Sequence, residues 1–83
     1  MRQAGIVVDK KKNRVRVSFA SSIYGSKSVE EAARDYSASC TVRLEKSKKG
    51  VDAFLEPKED VQLEALGREF ANYVLAKTRE KTV

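Results

Sequence analysis

The sequence predicts an α+β domain with element order ββαββα: a four-stranded mixed sheet with two helices packed on one face. Three observations predict it. Residues 14–20 and 39–46 alternate apolar and polar side chains, the period-2 signature of half-buried strands. Residues 28–38 carry an apolar stripe at helical spacing, and residues 60–81 carry a longer one. Turn residues separate each pair of strands.

The elements follow in order. Residues 4–9 (AGIVVD) read as a strand and 10–13 (KKKN) as a polar turn, although no glycine marks it. In 14–20 (RVRVSFA), Val15, Val17 and Phe19 face the core, and Arg14, Arg16 and Ser18 face outward. Residues 21–27 are a loop in which Tyr24 reads as a core lid. Ser28 with Glu31 has capping-box spacing, which puts Glu30 and Glu31 in the first turn of a helix. Val29, Ala32, Ala33 and Tyr36 form its apolar stripe. The next strand, 39–46, points Cys40, Val42 and Leu44 inward and Thr41, Arg43 and Glu45 outward. A turn at 47–50 leads to strand 51–56, where Val51, Ala53 and Leu55 face the core and Phe54 faces out. Pro57 stops it, because proline donates no ladder hydrogen bond. Asp60 reads as the N-cap of the last helix, whose buried stripe is Leu63, Leu66, Phe70, Tyr73, Val74 and Lys77. The helix between them makes strands 14–20 and 39–46 parallel neighbours, linked by a right-handed crossover. Strands 4–9 and 51–56 are then the sheet edges.

Composition narrows the function classes. The chain has 83 residues, 41% hydrophobic and 35% charged, with no histidine and one cysteine. That length suits one domain, 1–83. The missing histidine removes the commonest general base and metal ligand. A single cysteine allows no internal disulfide and no four-cysteine metal site. Cys40 on an inward strand position reads as a small buried hydrophobe. No apolar run is long enough for a membrane span, the first residues do not read as a secretory leader, and a reducing cytoplasmic setting is the expectation. The reading is a binding domain, not an enzyme, with no cofactor.

The net charge of +5 is unevenly placed. Residues 1–20 hold six basic side chains against Asp9, while residues 21–83 hold eleven of each sign. The surplus therefore lies in the N-terminal hairpin. Lysines 10–12 and the group Lys46, Lys48 and Lys49 are expected at opposite ends of the sheet, so they make two solvated turns, not one phosphate-binding groove. The outer face, with Arg14, Arg16, Arg43 and Phe54, is the candidate partner surface. One aromatic is fewer than the two or three that single-stranded RNA platforms present. Asn72, mid-helix, is either exposed or held by a specific hydrogen bond, and joins the candidate partner-binding residues.

Several segments together resemble the HxsD family, the small D protein of the His-Xaa-Ser repeat system. They are Val15–Phe19 leading to Ser22, Ile23 and Tyr24; Val29–Leu44; and Arg68–Arg79. Ala32, Ala33, Tyr36, Cys40, Phe70, Asn72, Leu75 and Arg79 match the pattern, which spans about residues 14–80. The resemblance implies a bacterial accessory protein of a peptide-maturation cluster. Its partners would be a His-Xaa-Ser repeat precursor and a radical S-adenosylmethionine enzyme, and it would carry no iron–sulfur site itself. The expected function is therefore a non-catalytic adaptor that binds by strand addition at an open sheet edge. The alternatives are a nucleic-acid-binding module that uses the basic hairpin and a structural homodimer.

Overall fold

The computed structural model describes residues 4–20 and 26–81. The elements are β1 (Ala4–Asp9), β2 (Arg14–Ala20), α1 (Ser26–Tyr36), β3 (Cys40–Lys46), β4 (Gly50–Pro57) and α2 (Leu63–Lys81). The ββαββα order and the α+β class are as the sequence predicts. Ser22, Ile23 and the Tyr24 lid lie outside the described residues.

Strand pairing differs from the expectation. The sheet order is β1-β2-β4-β3, and every neighbouring pair is antiparallel. β2 and β3 do run in the same direction across the α1 crossover, but β4 hairpins back and fills the gap between them. This is a split βαβ unit, with β1 added as an outer antiparallel strand. Strand 51–56 is therefore interior, and the edges are β1 and β3. Antiparallel neighbours need only a tight hairpin, so the 47–50 turn makes β4 the direct partner of β3 while its other side pairs with β2.

Two glycines show how closely the layers approach. A Cβ on Gly50 would lie 1.9 Å from the Phe19 carbonyl oxygen of β2, so only glycine lets β4 start against β2 there. A Cβ on Gly67 of α2 would meet Val15 Cγ2 at 2.9 Å and Ile6 Cγ2 at 3.0 Å. Gly67 thus seats α2 directly over the line between β1 and β2. The 10–13 turn closes without glycine. Asn13 takes the left-handed conformation at φ 51°, which asparagine tolerates better than most residues. The Lys12 amide donates to Asp9 Oδ1 and the Asn13 amide to the Lys10 carbonyl.

Helix starts also move. α1 begins at Ser26, so Ser28 is a buried helical residue and not the N-cap, and the first turn holds no acidic residue. Glu30 instead forms an ion pair with Lys46 at the end of β3. α2 begins at Leu63, and the Gln62 carbonyl accepts the first helical hydrogen bond, from the Leu66 amide. That puts Gln62 at the cap and leaves Asp60 two residues outside it.

Both helices pack on one face, α2 over β1 and β2 and α1 over β3 and β4. The core contains Val15, Val17, Phe19, Val29, Ala32, Cys40, Val51, Ala53, Leu55, Leu63, Phe70 and Val74. Phe70 is fully buried at its centre. Its ring meets Tyr36 edge-on at 5.1 Å and Phe19 at 5.9 Å, both favourable aromatic geometries. At the outer seam between the helices, the Tyr73 hydroxyl donates to Asp35. Lys77 Nζ lies 3.3 Å from the same carboxylate and 5.1 Å from the Tyr73 ring centroid. The hydroxyl donor, followed by Lys77, holds the Asp35 carboxyl below the usual aspartate range, and the same contact raises Lys77.

Phe70→Ala should cost about 3–5 kcal/mol by denaturant melting, since it empties the centre of the core. Gly67→Ala should destabilise by about 1–3 kcal/mol through overpacking, despite a helix-propensity gain of about 1 kcal/mol. A neutral or stabilising Gly67→Ala would refute the close seating of α2. Because folding depresses the Asp35 pKa, its contribution is complete above the ordinary aspartate value of about 3.9 and is lost as pH falls through the lower folded value. Asp35→Asn should therefore flatten the acid limb of a stability-versus-pH curve. Parallel acid limbs for the two proteins would remove Asp35 from that role.

Candidate docking face

The sheet face away from the helices is uncovered by any described element. Strand alternation projects Val7 and Asp9 from β1, Arg14, Arg16 and Ser18 from β2, Asp52, Phe54 and Glu56 from β4, and Thr41, Arg43 and Glu45 from β3 onto it. The register makes one row straight across the sheet: Val7, Arg16, Phe54, Arg43. The next row toward the 47–50 turn is Gly5, Ser18, Asp52, Glu45.

Phe54 sits half-buried at the middle of this face. The Arg43 guanidinium lies 5.0 Å from its ring centroid and the Arg14 guanidinium 5.2 Å, both within cation–π range. These arginines come from the strands on either side of β4, so the ring holds both side chains down on the sheet. Arg43 also pairs with Glu45 at 3.3 Å. Arg14, Thr41, Arg43, Phe54 and Glu56 line a shallow depression of about 120 Å³. The β2–β4 contact thus brings together four of the five partner-surface residues read from the sequence. Asn72 is not among them. It is exposed on α2, which packs against the opposite side of the sheet.

The electrostatics are mixed. Three arginines share the face with the carboxylates of Asp9, Glu45, Asp52 and Glu56. Glu45 and Asp52 lie directly opposite each other and make an acidic row beside the arginine row. The two lysine turns do lie at opposite ends of the sheet, because β2 and β3 share a direction. A polyanion would meet alternating sign here, not the continuous basic track that phosphate binding uses. A protein surface with its own mixed charges fits such a pattern better.

Cys40 lies in the core at 2% exposure, where burial pushes its thiol pKa up. That disfavours the thiolate, the reactive form. Among the described residues, no group of three or more Cys, Asp and Glu side chains is arranged to hold a metal ion, and no helix is long and apolar enough to cross a membrane. Sequence reasoning missed Gly67 and the Asp35–Tyr73–Lys77 clasp. A glycine inside an otherwise apolar helical stripe was the available signal for the first. The clasp had none, since it joins residues 38 positions apart.

The chain matches no family model, no curated protein and no solved structure.

In the folded protein the Cys40 thiol should resist an aromatic disulfide reagent and react fully in denaturant. Rapid labelling without denaturant would show that the β3 end of the core is open.

Proposed function

We propose that this chain is a non-catalytic accessory protein that binds a peptide or protein partner across the open face of its sheet. The observation that supports this is the Arg16–Phe54–Arg43 row, with Arg14 beside it, on a face that no described element covers. An antiparallel sheet often shows one face to water, and a polar surface would serve that alone. An aromatic ring flanked by arginines at the centre of the face goes further, because aromatic residues and arginine dominate the energetics of protein interfaces.

The resemblance to the HxsD family supplies the setting. In that reading the protein is a cytoplasmic adaptor in peptide maturation. It holds a His-Xaa-Ser repeat precursor, a radical S-adenosylmethionine enzyme, or both. Docking on the face replaces strand addition at residues 51–56, which lie in an interior strand.

The test is capture from nuclease-treated extract on the immobilised full chain, read by mass spectrometry. The expected result is retention of a His-Xaa-Ser-rich peptide or a radical S-adenosylmethionine enzyme. Phe54→Ala with Arg43→Ala should then weaken binding about thirtyfold, the scale of an interface hot spot, with the fold intact by circular dichroism. Unchanged affinity in the double variant would remove the open face. Recovering neither from treated extract, but RNA-binding proteins from a parallel untreated extract, would assign function to the basic hairpin instead.

A further inference from the structure

The two sheet edges are unlike each other. β3 carries Arg43, Glu45 and Lys46, and the Lys46–Glu30 pair clasps its end to α1. Charged side chains of this kind discourage edge-to-edge pairing. β1, AGIVVD, has no charge before its last residue, no proline and no described element beyond it. Val7 on its open side is 50% exposed. Ile6 and Val8 on the helix side are only partly covered. The other exposed large hydrophobic among the described residues, Val61, lines a cleft with Val8, Lys10, Leu63 and Glu64 on the same flank.

From this edge we infer that the chain forms a two-fold dimer in which β1 pairs antiparallel with β1 of a second copy, making one eight-stranded sheet. Pairing centred on Val7 sets Ile6 against the second copy's Val8 on the helix side and Val7 against Val7 on the open side. Ile6, Val7 and Val8 then each meet an apolar residue on the same face, which strand pairing favours.

The helix layer fits the same operation. Gly67 seats α2 over the line between β1 and β2. Strands are spaced about 4.8 Å apart, so the two copies of α2 would run about 10 Å apart, within helix-packing distance. Leu63 and Glu64 lie beside Val8, and Gly67 lies over Ile6. α2 therefore runs antiparallel to β1, and a two-fold axis at Val7 passes between Glu64 and Arg68. It brings Glu64 of one copy opposite Arg68 of the other. These residues are an exposed i,i+4 pair within one helix, at 3.7 Å, and are free to exchange partners across the axis. Antiparallel pairing also puts the two Lys10–Lys12 turns at opposite ends of the joined strands. They are then roughly 20 Å apart, well beyond the screening length of about 8 Å. Parallel pairing would set them side by side.

The dimer does not depend on the partner proposed for the open face, but it doubles that face. The Val7, Arg16, Phe54, Arg43 row would continue into its own mirror order.

Sedimentation equilibrium of the full chain at two concentrations tests the dimer. The expected mass is twice 9.3 kDa at the higher concentration. Val7→Lys places like charges opposite each other at the axis, and should weaken association about tenfold or more with the melting curve retained. Glu64→Arg alone should also weaken it, and adding Arg68→Glu should restore it. Phe54→Ala should leave the mass unchanged, which separates this test from that of the docking face. A monomer at millimolar concentration, or a dimer indifferent to Val7→Lys, would overturn the inference.

Discussion

The arrangement of the open sheet face and of the core beneath it depends on β4 being paired on both sides. β4 pairs with β2 from Gly50 to Leu55 and with β3 from Val51 to Pro57. That position makes one cation–π cluster from three separate strands. It also lets α1 and α2 share a single continuous core around Phe70. With β4 at the edge, Arg43 would neighbour β2 directly and Phe54 would lie outside both arginines. The close contact at Gly50 secures the arrangement, since any side chain there would push β4 off the Phe19 carbonyl.

The two faces of the sheet then divide the work. The helix face is apolar and closed, and Gly67 shows how tightly it is packed. The open face is polar, with an aromatic centre and charges of both signs. The core and the proposed docking surface are thus built from alternate residues of the same strands. Val17 and Ala53 point into the core while their neighbours Arg16 and Phe54 point out. This separation is why substitutions on the open face are expected to spare the fold.

Much of this could be read from the sequence, and the limits have physical reasons. Period-2 alternation fixed which side chains share a face, so the open-face residues Arg14, Arg16, Arg43 and Phe54 were identified correctly. Alternation does not say which strands are neighbours, so the β2–β4 pairing was missed. A signal was present all the same. Strand 51–56 is apolar on its inner face and carries Phe54 on the outer one, as an interior strand would. Strand 39–46 carries Arg43, Glu45 and Lys46, as an edge would. The capping box at Ser28 failed because the helix starts earlier and draws that side chain into the core. Asn72 is singled out by its mid-helix position and its match to the family pattern, neither of which says which side of the sheet it occupies; it is exposed on α2, away from the arginines.

The central claim is that β4 lies between β2 and β3, and nuclear Overhauser contacts in solution test it most directly. The account predicts cross-strand backbone contacts from Phe54 to Arg16 on one side and to Arg43 on the other. It also predicts slow amide exchange through β4. Direct backbone contacts between β2 and β3, with fast-exchanging amides along one side of β4, would contradict it and dissolve the docking face.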